Sequence, residues 1–258
     1  MRLSISNIAW SAEFDSIVYP KMMEYGFSGL EIAPTRIYPE LPYDHTHEFK
    51  QYCQDLNDHL GLRISSMQSI LNGRNENLFE VDGAGKLLDY LEKAFSFGES
   101  AGGCNLVFGC PKNRIMPVDK DLEDAYNFFE TASVMALEHN CVLALEANPP
   151  IYGTNFINTT SEAFDFARNI PGLKVNLDFG TILDRGEDLS RMKDNLYLVN
   201  HVHISEPGLV PVQRRKEHEE LASLLKDVDY DGYVSIEMKR TDLETIDNTM
   251  DYIRRVFL

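Results

Sequence analysis

Residues able to bind a metal ion or transfer protons close four consecutive strand-like segments in the second half of the chain. The segments are VLALE (142–146), KVNLD (174–178), VNHVHI (199–204) and YVSIE (233–237), and the residues at or near their ends are Glu146, Asp178, His201, His203 and Glu237. An ionised carboxylate is costly to bury unless it is paired, hydrogen-bonded or bound to a metal ion. Three neighbouring carboxylates repel one another, and a divalent cation relieves that repulsion. Carboxylate and imidazole together suit Mn²⁺, Co²⁺, Mg²⁺ or Zn²⁺.

The two histidines of the third segment differ in position. His201 and His203 are two residues apart, so both side chains point to the same side of a strand. His203 lies nearer the carboxyl end, where the candidate carboxylates also lie. We therefore assign His203 as the imidazole ligand. For His201 three roles stay open: support of a ligand, contact with a substrate, or packing.

The elements that would position these residues alternate regularly along the chain. Strand-like runs are separated by amphipathic helical segments, a pattern typical of a parallel sheet. The four further runs are LSISNI (3–8), GLEIA (29–33), RISSM (63–67) and NLVFG (105–109). Eight strands and about eight helices in this length predict one α/β domain over residues 1–258, a (β/α)₈ TIM barrel. The alternative is an open doubly wound sheet, but no glycine-rich phosphate-binding motif follows any strand.

Helix boundaries are also visible in the sequence. Residues 49–60 carry apolar side chains at helical spacing, and Gly61 follows as a helix-ending residue. Thr159 and Glu162 have the spacing of a capping box, which predicts a helix running to Asn169. In the barrel that these elements predict, catalytic residues lie at the carboxyl ends of the strands, where the candidate ligands fall.

Composition and charge limit the classes of binding partner and the cellular location that we expect. The formal net charge is −17 at pH 7, which disfavours nucleic acid and anionic membranes as partners. No apolar run is long enough to span a membrane. The start, MRLSISNIAW, lacks the apolar core of a signal peptide, and the four cysteines form no CxxC pair. We therefore expect a cytoplasmic protein with reduced thiols.

The strand ends read together resemble the xylose isomerase-like TIM-barrel superfamily, which includes sugar phosphate isomerases and epimerases, ketose 3-epimerases, inosose and dehydroshikimate dehydratases, and endonuclease IV. The resemblance rests on LEANP, VNLDFG, HVHISEPG, VSIEMK and SSMQSI, and it covers essentially the whole chain. It implies the ligands Glu146, Asp178, His203 and Glu237. Two departures stand out. Thr181 occupies a position where many relatives have a histidine, and SEPGLV lacks the arginine that usually follows the histidine of strand seven in ketose 3-epimerases.

The ligand set predicts proton abstraction next to a carbonyl of a sugar, sugar phosphate or polyol, with an enediolate stabilised by the metal. Glu146 and Glu237 would be the two catalytic carboxylates, approaching opposite faces of the substrate in an isomerase or epimerase. A metal-dependent hydro-lyase is the alternative, and an endonuclease IV-like nuclease is disfavoured. A silent sugar-binding module is disfavoured too, because the chain keeps all its carboxylates. The histidine-poor rim predicts one divalent ion, with Mn²⁺ preferred and Co²⁺, Mg²⁺ or Zn²⁺ as alternatives.

Further polar side chains near the predicted rim are candidates for contact with a sugar-like small molecule. They are Trp10, Gln68, Lys112, Arg114, His201, His218 and Lys239. For each of them a simpler reading stays open: core packing for Trp10, a solvated loop for Lys112 and Arg114, a helix cap for His218, and pairing with the acidic cluster for the cations. Glu31 is expected to make a structural hydrogen bond. Barrels of this superfamily often pair, so a homodimer is an open expectation.

Overall fold

Eight parallel strands close into a barrel, each paired with its neighbours in sequence, and the first paired with the last. The structure is a computed structural model that describes residues 1–258. The strands are β1 (Arg2–Ser6), β2 (Phe27–Ile32), β3 (Arg63–Met67), β4 (Asn105–Phe108), β5 (Val142–Glu146), β6 (Lys174–Asp178), β7 (Val199–Ile204) and β8 (Tyr233–Ile236). The predicted (β/α)₈ barrel is confirmed, and the open sheet is excluded because the barrel closes.

Helices follow the strands on the outside. They are α1 (Asp15–Glu24), α2 (Pro34–Ile37), α3 (Thr46–Leu60), α4 (Gly83–Ser100), α5 (Glu123–Glu138), α6 (Thr160–Ala167), α7 (Phe179–Arg185), α8 (Lys216–Asp227) and α9 (Leu243–Phe257). None of them combines the length and the apolar character that crossing a membrane requires. The α6 capping box of Thr159 and Glu162 is present, although α6 ends two residues before the predicted Asn169. Gly61 ends α3 with a φ of 62°, a left-handed conformation that glycine adopts without a steric penalty.

The two faces of the strands differ in chemistry. Residues facing the helices, such as Leu3, Ile5, Val202 and Ile204, belong to the main hydrophobic core. The alternate residues face the barrel interior, and many are buried and polar: Ser4, Ser6, Glu31, Gln68, Asn105, Glu146, Asn176, His201, His203, Ser235 and Glu237. Branched apolar residues normally fill the interior of such a barrel. The polar interior here therefore points to a functional site.

One seam of the barrel is incomplete. The pairing of β3 with β4 covers only Ser66 with Asn105 and Met67 with Leu106. The amino-terminal part of β3 therefore has no strand partner on this side. We call the end with the carboxyl ends of the strands the upper face and the opposite end the lower face. The incomplete seam opens toward the lower face.

Candidate active site

Four side chains at the upper face converge on one point. Atoms of Glu146, Asp178, His203 and Glu237 able to bind a metal ion all lie within 4.8 Å of one another. Glu146 and Asp178 are the last residues of β5 and β6, His203 lies one residue before the end of β7, and Glu237 directly follows β8. In adjacent parallel strands these ends are neighbours, so the barrel brings together residues that are up to 91 positions apart (237 − 146).

The imidazole of His203 is held between two sets of carboxylates. Its Nδ1 lies 2.9 Å from Glu146 Oε1 and 3.2 Å from Glu237 Oε2. Its Nε2 hydrogen-bonds at 2.8 Å to Oε2 of Glu31, which is fully buried. The structural hydrogen bond expected for Glu31 is therefore present. A carboxylate on the far nitrogen of a histidine is the usual support of a metal ligand, because it fixes the ring and directs the other nitrogen at the metal.

Asp178 is fixed by three donors. The hydroxyl of Ser205 donates to Oδ1, and the backbone N–H and the hydroxyl of Thr181 donate to Oδ2 at 2.7 and 2.8 Å. Asp178 thereby caps the amino terminus of α7. At the position where many relatives have a histidine, this chain thus has a threonine that orients a neighbouring carboxylate.

Amide side chains orient the two glutamates. Asn176 Nδ2 donates to Glu146 Oε1 at 2.7 Å, and Asn148 Nδ2 donates to Glu146 Oε2 at 3.1 Å. Gln68 Nε2 donates to Glu237 Oε1 at 3.0 Å. Since hydrogen bonds from neutral amides add no positive charge, they position the carboxylates without neutralising them.

The electrostatics favour a bound cation. Burial, together with the charge of Glu146, raises the pKa of Asp178, and burial raises the pKa of Glu237 to about 7 against the opposing effect of His203. Burial alone would lower the pKa of His203, but the charges of Glu31 and Glu237 raise it well above its usual value. Glu146 and Glu237 have His203 as their ion-pair partner, and no lysine or arginine pairs with the carboxylates of the cluster. Pairing with Lys112, Arg114 or Lys239, the alternative to a metal, is not observed. The donor set fits a divalent ion.

A pocket of about 270 Å³ opens above this cluster. Its wall combines polar and apolar side chains. The polar ones include Gln68, Asn72, Arg74, Lys112, Asn148 and Tyr152, and the apolar ones include Leu71, Val107 and Leu209. Glu146, Asp178 and Glu237 also line it. Gly109 also lines it, and a Cβ there would lie 2.7 Å from Glu146 Oε2, so glycine makes room for the carboxylate.

The structure separates the predicted substrate contacts into two groups. Gln68 and Lys112 line the pocket. The other five do not, namely Trp10, Arg114, His201, His218 and Lys239. Arg114 is fully buried behind the wall, where its Nη2 donates to the carbonyl oxygen of Glu146 at 2.8 Å and to Asn148 Oδ1 at 2.7 Å. It supports the end of β5, which carries Glu146, and the loop that follows.

Trp10, His218 and Lys239 lie apart from the pocket. Trp10 is buried, and its Nε1 donates to Asp15 at 2.7 Å. His218 packs against the Phe179 ring and hydrogen-bonds to the Tyr252 hydroxyl at 3.0 Å, while Lys239 is exposed. His201 lies below His203, where its Nε2 is 3.0 Å from Glu31 Oε2 but outside hydrogen-bonding geometry.

Sequence reasoning missed several residues of the site. Asn176, Asn148 and Tyr152 were not singled out, although the first two hydrogen-bond to Glu146 and the third lines the pocket. One usable signal existed for Asn176, which is two residues before Asp178 and so shares its side of β6. The other two lie in the loop after β5, where spacing carries no such information.

The closed parallel barrel and the cluster of three carboxylates and one imidazole at its upper face place the protein among TIM barrels with a candidate metal site. The sequence matches the xylose isomerase-like TIM barrel family over residues 21–256, and the chain belongs to that family. No curated protein sequence matches the chain.

Solved structures share the fold at low sequence identity. The 3-keto-D-glucoside 4-epimerase from E. coli superposes with a TM-score of 0.77 at 18% identity, covering 99% of this chain and 98% of that chain. A D-psicose 3-epimerase, determined in the presence of D-fructose, gives 0.76 at 18%, covering 99% and 96%. An AP endonuclease of family 2 from Brucella melitensis gives 0.72 at 18%, covering 96% of each. At these identities the similarity establishes the fold.

Proposed function

We propose that this protein is a divalent-metal-dependent isomerase or epimerase of a monosaccharide-sized sugar or polyol. The observation that carries the proposal is the convergence of Glu146, Asp178, His203 and Glu237 within 4.8 Å, with the three carboxylates lining a pocket of about 270 Å³. The epimerases among the structures of the same fold act on sugars, which supports the same substrate class.

These four residues would hold one metal ion, with Mn²⁺ as our first choice. When bound, such an ion supplies a Lewis acid that polarises a carbonyl and lowers the energy of an enediolate. Only one imidazole is available in the cluster. A site of three zinc ions needs more ligands, so we do not propose cleavage of abasic DNA.

Glu146 and Glu237 would carry the protons. Each is held by hydrogen bonds from neutral amides, which leave the negative charge of the carboxylate in place, so each would be able to accept a proton from carbon. One carboxylate takes the proton from the carbon next to the carbonyl, and the other returns a proton to the substrate. Gln68 and Asn148, which also line the pocket, would fix both the carboxylates and the sugar hydroxyls.

The pocket wall suits a small polyhydroxylated molecule. Leu71, Val107 and Leu209 give apolar surface for the C–H face of a sugar, while Lys112 and Tyr152 give polar groups for its oxygens. A pocket of about 270 Å³ lies just below the usual range for ligand sites, which favours a single ring over an oligosaccharide.

Exchange of substrate hydrogen with solvent tests the proposal. The protein loaded with Mn²⁺ is incubated in D₂O with ketoses, inososes and keto acids, and deuterium uptake is followed by NMR. We expect deuterium beside a carbonyl, lost in Glu146→Gln and Glu237→Gln while both variants stay folded. Lys112→Gln should weaken substrate binding, whereas Lys239→Gln, which lies outside the pocket, should leave it unchanged. Loss of water from the substrate would instead identify a hydro-lyase. Near-normal exchange in either glutamine variant would refute the two-carboxylate scheme.

Elemental analysis tests the metal separately. We expect one equivalent of divalent ion per chain, lost in His203→Ala. Three equivalents of zinc with nicking of an abasic duplex would refute the proposal, as would failure to bind any of Mn²⁺, Co²⁺, Mg²⁺ and Zn²⁺.

A further inference from the structure

A second and larger cavity lies at the lower face of the barrel, about 730 Å³ in volume. We call it the lower cavity and define it by Arg2, Lys50, Arg63, Asn105, His201 and Tyr233, all of which line it. It shares no lining residue with the pocket of the proposed active site. Its volume lies within the usual range for small-molecule sites.

The incomplete seam between β3 and β4 creates this cavity. Their pairing starts only at Ser66 and Asn105, so Arg63, Ile64 and Ser65 face the cavity without a β4 partner. The β3–β4 ladder therefore does not use the backbone groups of this stretch. Such groups are hydrogen-bonding sites available to a ligand.

Positive charge collects at the cavity, against the net charge of the protein. The charged residues that line it are three cations, Arg2, Lys50 and Arg63, and two carboxylates, Asp58 and Asp231. None of the three cations is ion-paired to a carboxylate, although the whole chain has a net charge of −17. Arg2 is oriented by its contact with the Tyr233 ring and by a hydrogen bond from its Nε to the Asp231 carbonyl oxygen.

Buried polar side chains form the inner part of the cavity. His201 is 1% exposed and Asn105 is 4% exposed, and both line it. The His201 Nε2 atom lies 3.0 Å from Glu31 Oε2, outside hydrogen-bonding geometry, so it is directed at the layer above the cavity. Asn105 Oδ1 accepts from Asn200 Nδ2 at 2.8 Å, which fixes the amide. The layer formed by His201, Glu31 and His203 separates the cavity from the upper site.

We propose that the lower cavity is a second ligand site, which binds a small phosphate-bearing organic metabolite. The phosphate would lie at the cations of the rim, where arginine offers paired donors, and the polar organic part would extend toward Asn105 and His201. A cavity of about 730 Å³ has room for more than a bare anion. The site is independent of the proposed activity, because its residues lie at the opposite end of the barrel.

Phosphorus NMR on the whole protein tests the site. Glycerol 3-phosphate is titrated into metal-free protein in the presence of chelator, so that no metal can hold the phosphate at the upper face. We expect saturable broadening of the phosphorus signal and a shift of the His201 ring signals. Arg63→Gln combined with Lys50→Gln should weaken binding at least tenfold. The matched control, Lys86→Gln combined with Lys226→Gln, removes the same charge from exposed positions outside the cavity and should bind normally.

Three results would overturn the proposal. The first is no saturable signal from glycerol 3-phosphate up to about 10 mM, a concentration that still detects weak binding. The second is equal loss of binding in the cavity variant and the control variant, which would indicate attraction by overall charge. The third is binding of inorganic phosphate with no binding of glycerol 3-phosphate, since the cavity would then not admit the organic part. None of these measurements uses turnover, so they stand or fall apart from the proposed function.

Discussion

Replacing Glu31 with glutamine tests whether His203 is held in place as a metal ligand. Glu31 is fully buried and accepts a hydrogen bond of 2.8 Å from His203 Nε2. That bond places a proton on Nε2 and leaves Nδ1 facing Glu146 and Glu237. Glutamine keeps the length of the side chain but removes the charge that fixes the ring and makes its Nδ1 more basic.

The expected loss follows from the burial of the pair. Losing the outer partner of a metal-bound histidine costs about 10- to 100-fold in metal affinity. Glu31 and His203 are both 0% exposed, so solvent cannot replace the missing charge. We therefore expect the upper part of that range, about 30- to 100-fold, which corresponds to roughly 2 to 3 kcal/mol.

Calorimetric titration of chelator-stripped protein with Mn²⁺ measures this loss, and circular dichroism checks the fold. Ser235→Ala is the matched control, because Ser235 is fully buried, is paired with His203 across β7 and β8, and has a hydroxyl with no hydrogen-bond partner. The control should bind Mn²⁺ like the unmodified protein. A folded Glu31→Gln variant with unchanged Mn²⁺ affinity would refute the reasoning. An equal loss in Ser235→Ala would show that packing, not the carboxylate, matters.

Three further predictions concern single positions. Gly109→Ala places a methyl group 2.7 Å from Glu146 Oε2, so metal affinity should fall at least tenfold by titration, while the unfolding free energy in urea changes by less than about 1 kcal/mol. Thr159→Ala removes the capping box of α6 and should cost about 1 kcal/mol in urea unfolding. Burial lowers the pKa of His218 to about 4. The contribution of His218 should therefore reduce the unfolding free energy by roughly 2 to 3 kcal/mol as the pH falls from 6.5 to 4. The His218→Asn variant should lack that part of the pH dependence.

The sign of the last prediction follows from proton uptake. The unfolded chain protonates His218 near pH 6.5, whereas the folded chain does so only near pH 4. Between these values the unfolded state binds more protons, so stability rises with pH. A pH profile of stability for His218→Asn that runs parallel to that of the unmodified protein would contradict this account.

Thr159→Ser, which keeps the capping oxygen, is the control for α6. A large loss of stability in Gly109→Ala would contradict the assumption that the Glu146 side chain can move to accommodate the methyl group.

The sequence by itself determined the barrel. Alternating strand-like and helical segments, each with its own local signals, predicted all eight strands and the capping box at Thr159, because these features depend on neighbours a few residues apart. The positions of Glu146, Asp178, His203 and Glu237 at strand ends also followed, because a parallel barrel places every carboxyl end on one face.

The tertiary structure alone decided what surrounds those residues. Arg114 follows a strand end as Lys112 does, yet it is buried behind the pocket wall while Lys112 lines the pocket. Glu31 meets His203 across the barrel from 172 positions away, a contact that depends on the closure of the sheet. The lower cavity likewise arises because β3 pairs with β4 over only two residues. Local sequence patterns fix which way a side chain points along its own strand, but barrel closure and register fix which side chains it meets.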